Sequence, residues 1–236
     1  MDLLTEIIDR TSPATPAPEL TTLGLVGVLV AAGIAVGWWP AWRVLRLVVT
    51  LVHELGHAVV GVLFGRRFTG FVLRADMSGH AVTVGPPRGA GVVATTWAGY
   101  PAPAVVGALL VWFAASGWSG PVVTALLLAL LLALVFVRSA LTALVVGGSL
   151  AVVAALWWWR DDVVQQHVLV GVGVVLLVGA WRHVATVLGR VEATSDVGVL
   201  ARLTGLPAPV WQVGFLLVLG LSTWVVVGEV LVVLGD

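Results

Sequence analysis

Long apolar runs separated by short polar clusters set the pattern of this chain. Cutting it at charges and at Pro/Gly breaks yields segments near the 20 residues that a helix needs to cross a hydrocarbon core. These are 20–39, closed by "WWPAW"; 41–65; two within 89–137, a stretch with no Asp, Glu, Lys, Arg or His that "SGWSGP" divides at 116–121; 139–159, which stops at "WWWRDD"; about 163–181; and about 207–233. The pattern predicts an all-α polytopic membrane protein of about seven transmembrane helices.

Two segments do not read as spans. Residues 66–88, "RRFTGFVLRADMSGHAVTVGPPR", alternate apolar and polar positions around Gly79, which predicts a short membrane-associated β-hairpin. Residues 182–206 form the longest polar stretch after the first nineteen residues. Those nineteen carry Asp2, Glu6, Asp9 and Glu19 against Arg10, with prolines at 13, 16 and 18. They lack the basic start of a secretory signal peptide and are expected to be a disordered N-terminal tail, 1–19, ahead of a single transmembrane domain, 20–236.

Composition agrees with the pattern: 60% of the 236 residues are hydrophobic and 10% charged, against about 25% charged in a typical soluble domain. Net charge is zero, so nothing points to nucleic acid. There are no cysteines, which removes disulfides, thiolate catalysis and Cys-based metal sites together. All twelve basic residues are arginine, a bias that points to a GC-rich genome and a bacterial plasma membrane. With the N-terminus cytoplasmic, seven alternating spans put nine arginines inside and leave Arg43, Arg46 and Arg160 outside, the sense in which basic residues are distributed.

One apolar run is interrupted by chemistry. In "LVVTLVHELGHAVVGVLF", residues 47–64, His53 and His57 are four apart and share one helix face. Two imidazoles so placed can hold one ion, while Glu54, one position along, is angled to reach a water without ligating; this is the mechanical content of the His-Glu-x-x-His motif. Histidine suits zinc, which supplies a Lewis acid. Glu54 lies roughly 12 Å from Arg46 and 18 Å from Arg66 along a helix rising about 1.5 Å per residue, so it sits inside the bilayer. An acid at that depth costs on the order of 2.5–3.5 kcal/mol, which marks it as functional. A third ligand must come from elsewhere, and with no cysteine it is a carboxylate or another histidine. Asp76 and His80 on the hairpin, His183, Glu192 and Asp196 in the late polar segment, and His167 and Glu229 within spans are the candidates. Asp196 could instead be a helix N-cap, and His80 could reach the ion only if the hairpin inserts deeply.

"HELGH" on an early helix, a Gly-containing hairpin and a late aspartate near the membrane surface resemble the site-2 protease family of intramembrane zinc metallopeptidases. The likeness is to its compact bacterial branch, with "RADMSGHAVTV", "AGYPAPAVVG" and "TSDVGVLARLTGLP" as the recurrent segments, and it spans most of residues 41–212. The resemblance implies zinc on His53, His57 and Asp196, Glu54 as general base, and cleavage of membrane-embedded protein substrates, making 20–236 a transmembrane metalloprotease domain. The family pattern has Asn and Pro upstream of an Asp-Gly pair, whereas Asp196 here precedes Val197 and the Asn is missing. With no room for a PDZ or CBS domain, substrate choice is expected to lie in the membrane core or in a regulatory membrane partner. Two other readings remain at this point: a non-catalytic zinc-binding membrane scaffold, and a small-solute or ion transporter, which would favour an internal repeat that the sequence lacks.

Overall fold

A computed structural model describes residues 3–235, mostly helical with one two-stranded antiparallel sheet. The elements in order are α1 (Leu3–Thr11), α2 (Thr22–Gly37), α3 (Trp39–Leu63), β1 (Arg67–Leu73), β2 (Gly79–Val84), α4 (Ala90–Trp97), α5 (Ala102–Ala115), α6 (Ser119–Val135), α7 (Ala140–Trp158), α8 (Asp162–Gly189), α9 (Asp196–Thr204) and α10 (Ala208–Gly235). Helices α3, α7, α8 and α10 are long and apolar enough to cross a membrane, and α4 with α5, bent by 63° at their break, make a fifth if taken as one span. Helices α2 and α6 are apolar but have 16 and 17 residues. This is a multi-pass membrane architecture of four to five candidate spans by length, where the sequence pattern predicts about seven.

Local chemistry explains the boundaries. Thr21, Ser139, Asp161 and Ser195 accept a hydrogen bond from a first-turn amide and start α2, α7, α8 and α9. Pro40 fits the first turn of α3, where its missing N–H has no helical partner to lose. Pro101 and Pro103 do the same at the α4–α5 break. Helix α8 is the hub. Glycines let it touch α5 backbone to backbone: a Cβ on Gly107 would meet the Gly173 carbonyl, and one on Gly173 the Gly107 carbonyl.

The contacts fix helix directions. Gln166 on α8 donates to the Ala114 carbonyl at 3.2 Å, and Gly173 meets Gly107, so α5 runs against α8. Helix α2 runs with it: Gly24 adjoins His167, Gly171 adjoins Val28, and Arg182 donates to the Val36 carbonyl at 3.2 Å. Seven alternating spans would oppose these two helices, so the sequence-based topology needs correction. The C-terminus of α2 and the N-terminus of α5 lie at the same end of the bundle, and the chain between them, α3 to α4, leaves from and returns to that end. A connection of one residue, Trp38, turns α2 into α3 at a corner rather than through a hairpin loop.

The N-terminal segment is corrected likewise. Expected to be a disordered tail, residues 3–11 form α1, with Glu6 and Arg10 paired one turn apart at 2.6 Å. Arg10 donates to the Trp157 and Trp158 carbonyls that end α7, and Arg160 donates to the Ser12 carbonyl. Arg10 and Arg160, on opposite sides in the seven-span reading, therefore share one end of the bundle. Arg138, which opens the way into α7, lies at the other.

The hairpin matches its sequence pattern in extent. Its turn is Arg74–Ser78 rather than Gly79: the Arg74 amide donates to the Ser78 carbonyl at 2.9 Å and Met77 takes a positive φ of 69°. Phe71 and Leu73 are buried against α6 and α7, and the Leu73 amide donates to the Thr142 hydroxyl at 2.7 Å. Arg138 donates to the Thr69, Val135 and Val137 carbonyls, clamping β1 to the α6–α7 corner. One edge of β1 is thereby covered. The outer edge of β2 has no strand partner among the described residues.

Candidate metal centre

Helix α3 presents His53 and His57 on one face, and the two Nε2 atoms stand 3.2 Å apart. Asp196 reaches them from the first residue of α9, its Oδ2 lying 3.2 Å from His53 Nε2 and 3.3 Å from His57 Nε2. The N-cap position belongs to Ser195, whose hydroxyl accepts from the Gly198 amide at 3.3 Å. Asp196 is therefore free of the capping role that its sequence allows. Gly198 makes the approach possible, since a Cβ there would meet the Glu192 carbonyl and close the tight turn that delivers α9.

The tautomers are partly determined. His57 Nδ1 lies 2.7 Å from the Thr95 carbonyl. A carbonyl can only accept, so Nδ1 carries the proton and, in the neutral ring, Nε2 carries a lone pair aimed at Asp196 and His53. Lone pairs converging at such distances repel unless a cation lies among them. The donor set is thus suited to a metal ion: His53, His57 and Asp196 each offer one ligand atom, all within 4.8 Å of one another.

Glycines again allow close approach. A Cβ on Gly99, at the α4–α5 break, would stand 2.6 Å from His53 Nε2 and still nearer His57 Nε2, in the space where the ligand atoms meet. A Cβ on Gly79 would strike the Glu54 carboxylate, which is only 4% exposed beside the start of β2. Tyr100 packs edge-on to the His53 ring at 5.0 Å, and His183 lies 6.1 Å from it, centroid to centroid. His53, Glu54, His57, Gly79, Tyr100 and His183 line a cavity of about 460 Å³ that runs from the α3 face to β2 and the start of α9.

The other candidates fall outside the cluster. Asp76 binds the Ser78 amide at 3.0 Å and hydroxyl at 2.6 Å, contacts that hold its carboxyl below the ordinary range and build the hairpin turn. His80 is exposed at the cavity rim. Glu192 is exposed, His167 bonds the Val163 carbonyl one turn back, and Glu229 lies on α10 away from the cavity lining. Sequence reasoning passed over Thr95 and Gly99 and read Gly79 only as the hairpin turn. Only Gly99, inside "AGYP", carried a local sign of close approach.

A family model described as Peptidase M50B-like matches residues 26–226. No curated protein and no solved structure matches the chain.

Proposed function

Because the chain belongs to the Peptidase M50B-like family of site-2 proteases, we propose that it is an intramembrane zinc endopeptidase that cleaves membrane-embedded protein substrates. The observation that carries this reading is the convergence of His53 Nε2, His57 Nε2 and Asp196 Oδ2 at 3.2–3.3 Å. Atoms about 2.0–2.1 Å from a tetrahedral zinc stand roughly 3.3–3.4 Å apart, so this triangle already has the size of a zinc ligand set. His53, His57 and Asp196 would hold the ion, which when bound supplies a Lewis acid and brings the pKa of a coordinated water to about 7.

Glu54 has the remaining task. Adjacent to His53 on α3 but outside the ligand triangle, it accepts the proton of the attacking water and returns it to the leaving amide nitrogen. A helical substrate hides its amides and must be unwound before attack. The unpaired edge of β2, whose Gly79, Ala81 and Thr83 line the cavity, can hold the unwound segment by β-augmentation.

Arginine placement supports an orientation. Arg66, Arg74, Arg138, Arg182 and Arg202 belong to elements at the site end, whereas Arg10 and Arg160 lie at the other. Excess arginine marks the cytoplasmic side, so we place the site end in the cytoplasm of a bacterial cell and α1 across the membrane. A reporter inserted near residue 190 should then read cytoplasmic and one fused before α1 extracytoplasmic; readings on the same side would refute this arrangement. We further propose that substrate access is controlled by a membrane partner.

Proteolysis itself is tested with the purified chain in proteoliposomes. A transmembrane reporter should be cut with zinc present, lose at least about 100-fold in rate after chelation, and recover when zinc is returned. Cleavage unaffected by chelation would remove the metallopeptidase reading.

A further inference from the structure

We propose that Arg46 selects substrates carrying a carboxylate about three residues from the scissile bond, a specificity that rests on the peptidase reading above. Arg46, Thr50, His53 and His57 are spaced four, three and four residues apart, which puts them on one face of α3. All four line the same cavity. The stripe therefore continues from the ligand triangle to a guanidinium.

That guanidinium stands out among the arginines. Arg10 pairs with Glu6 and Arg160 with Asp162. Arg66 and Arg138 are engaged with backbone carbonyls, and Arg182 with the Val36 carbonyl and the Trp42 ring. Arg46 is half-buried in the cavity wall and makes no ion pair among the described residues. The two carboxylates nearby are committed, Asp196 to the histidines and Glu54 to the space beside Gly79. A partly desolvated cation facing an open cavity gains most from an incoming carboxylate, which arginine binds through two parallel hydrogen bonds.

Distance sets the position. Seven residues of helix, at about 1.5 Å each, separate Arg46 from His53 by roughly 10 Å. An extended peptide advances about 3.3 Å per residue and covers that in about three. The hairpin supplies the track: Gly79 abuts Glu54, and the Met77 carbonyl accepts from the Thr50 hydroxyl at 3.1 Å. A strand added to the edge of β2 thus passes Glu54 and heads for Thr50 and Arg46. The carboxylate could belong to an Asp or Glu side chain or to the free C-terminus of the substrate.

The test uses the full chain in zinc-loaded proteoliposomes and reporters that differ only three residues from the cleaved bond, on either side: Asp, Asn or Lys, and a chain ending there as acid or amide. Wild type should favour Asp over Asn by roughly 10- to 100-fold in kcat/KM, the range of one charge-assisted hydrogen bond. Arg46→Gln should bring that ratio near one, and Arg46→Glu should turn the preference to Lys, a reversal that a misfolded variant cannot produce. Preference only within the acid–amide pair would identify a C-terminal carboxylate as the ligand. Equal wild-type cleavage across all charge pairs, on both sides, overturns the inference while leaving the peptidase reading intact. Cleavage of none of the reporters would remove the peptidase reading and this inference with it.

Discussion

Glu54→Gln is expected to abolish cleavage of a transmembrane reporter while leaving the bound metal in place. The substitution keeps the size and the hydrogen-bonding ends of the side chain, so the contact with Gly79, where no Cβ could be accommodated, survives. What it removes is the ability to take a proton from water. General bases contribute about 10²- to 10⁴-fold, so the cleavage rate should fall by at least that order. Zinc content measured on the purified variant, beside the cleavage rate, separates the outcomes. Undiminished cleavage would eliminate Glu54 as the base. Loss of zinc together with cleavage would make it part of the metal site. A wild type that holds zinc and cuts nothing would restore the scaffold reading.

Asp196→Asn should lose zinc as severely as His57→Ala, and His80→Ala should keep it. Catalytic zinc sites commonly take three protein ligands and one water. Two imidazoles from α3 leave one ligand to be found, and Asp196 Oδ2 is equidistant from both to within 0.1 Å, at 3.2 and 3.3 Å. Removing a direct ligand should cost more than the roughly 10- to 100-fold in affinity typical of an outer-shell change. The Asn variant preserves shape and the first-turn position in α9, where Ser195 still caps. Folding, checked by thermal transition, should therefore be little altered. Full zinc and activity in Asp196→Asn, with loss of both in His80→Ala, would move the third ligand to the hairpin.

The two halves of this site differ in how they could be known. His53, Glu54 and His57 were legible because an α-helix turns a spacing in sequence into a direction in space, and an ionisable triplet within an apolar run has few structural explanations. Asp196 was not legible on the same terms. Its local signal, "TSD" before an apolar helix, fits a cap equally well, and only the resemblance to a family singled it out. The structure gives the cap to Ser195 and turns Asp196 towards α3. Thr95 was invisible for a related reason: a carbonyl that fixes a tautomer has no signature apart from its partner.

The sequence by itself determined a multi-pass helical membrane protein, the β-hairpin and the shared face of His53 and His57 on α3. Each of these follows from local rules: backbone groups in lipid must be satisfied within their own helix, strands alternate with a period of two, and side chains four apart on a helix coincide. Only the tertiary structure decided that α2 runs with α8, that α1 folds onto the end of α7, that α3 leaves and re-enters at one end, and that α9 carries Asp196 to the histidines. Hydropathy records how apolar a segment is and carries no sign for its direction. Direction comes from which surfaces fit, here the Gly107–Gly173 contact and the bonds from Gln166 and Arg182, and those pair residues too far apart in the chain for any local pattern to relate them.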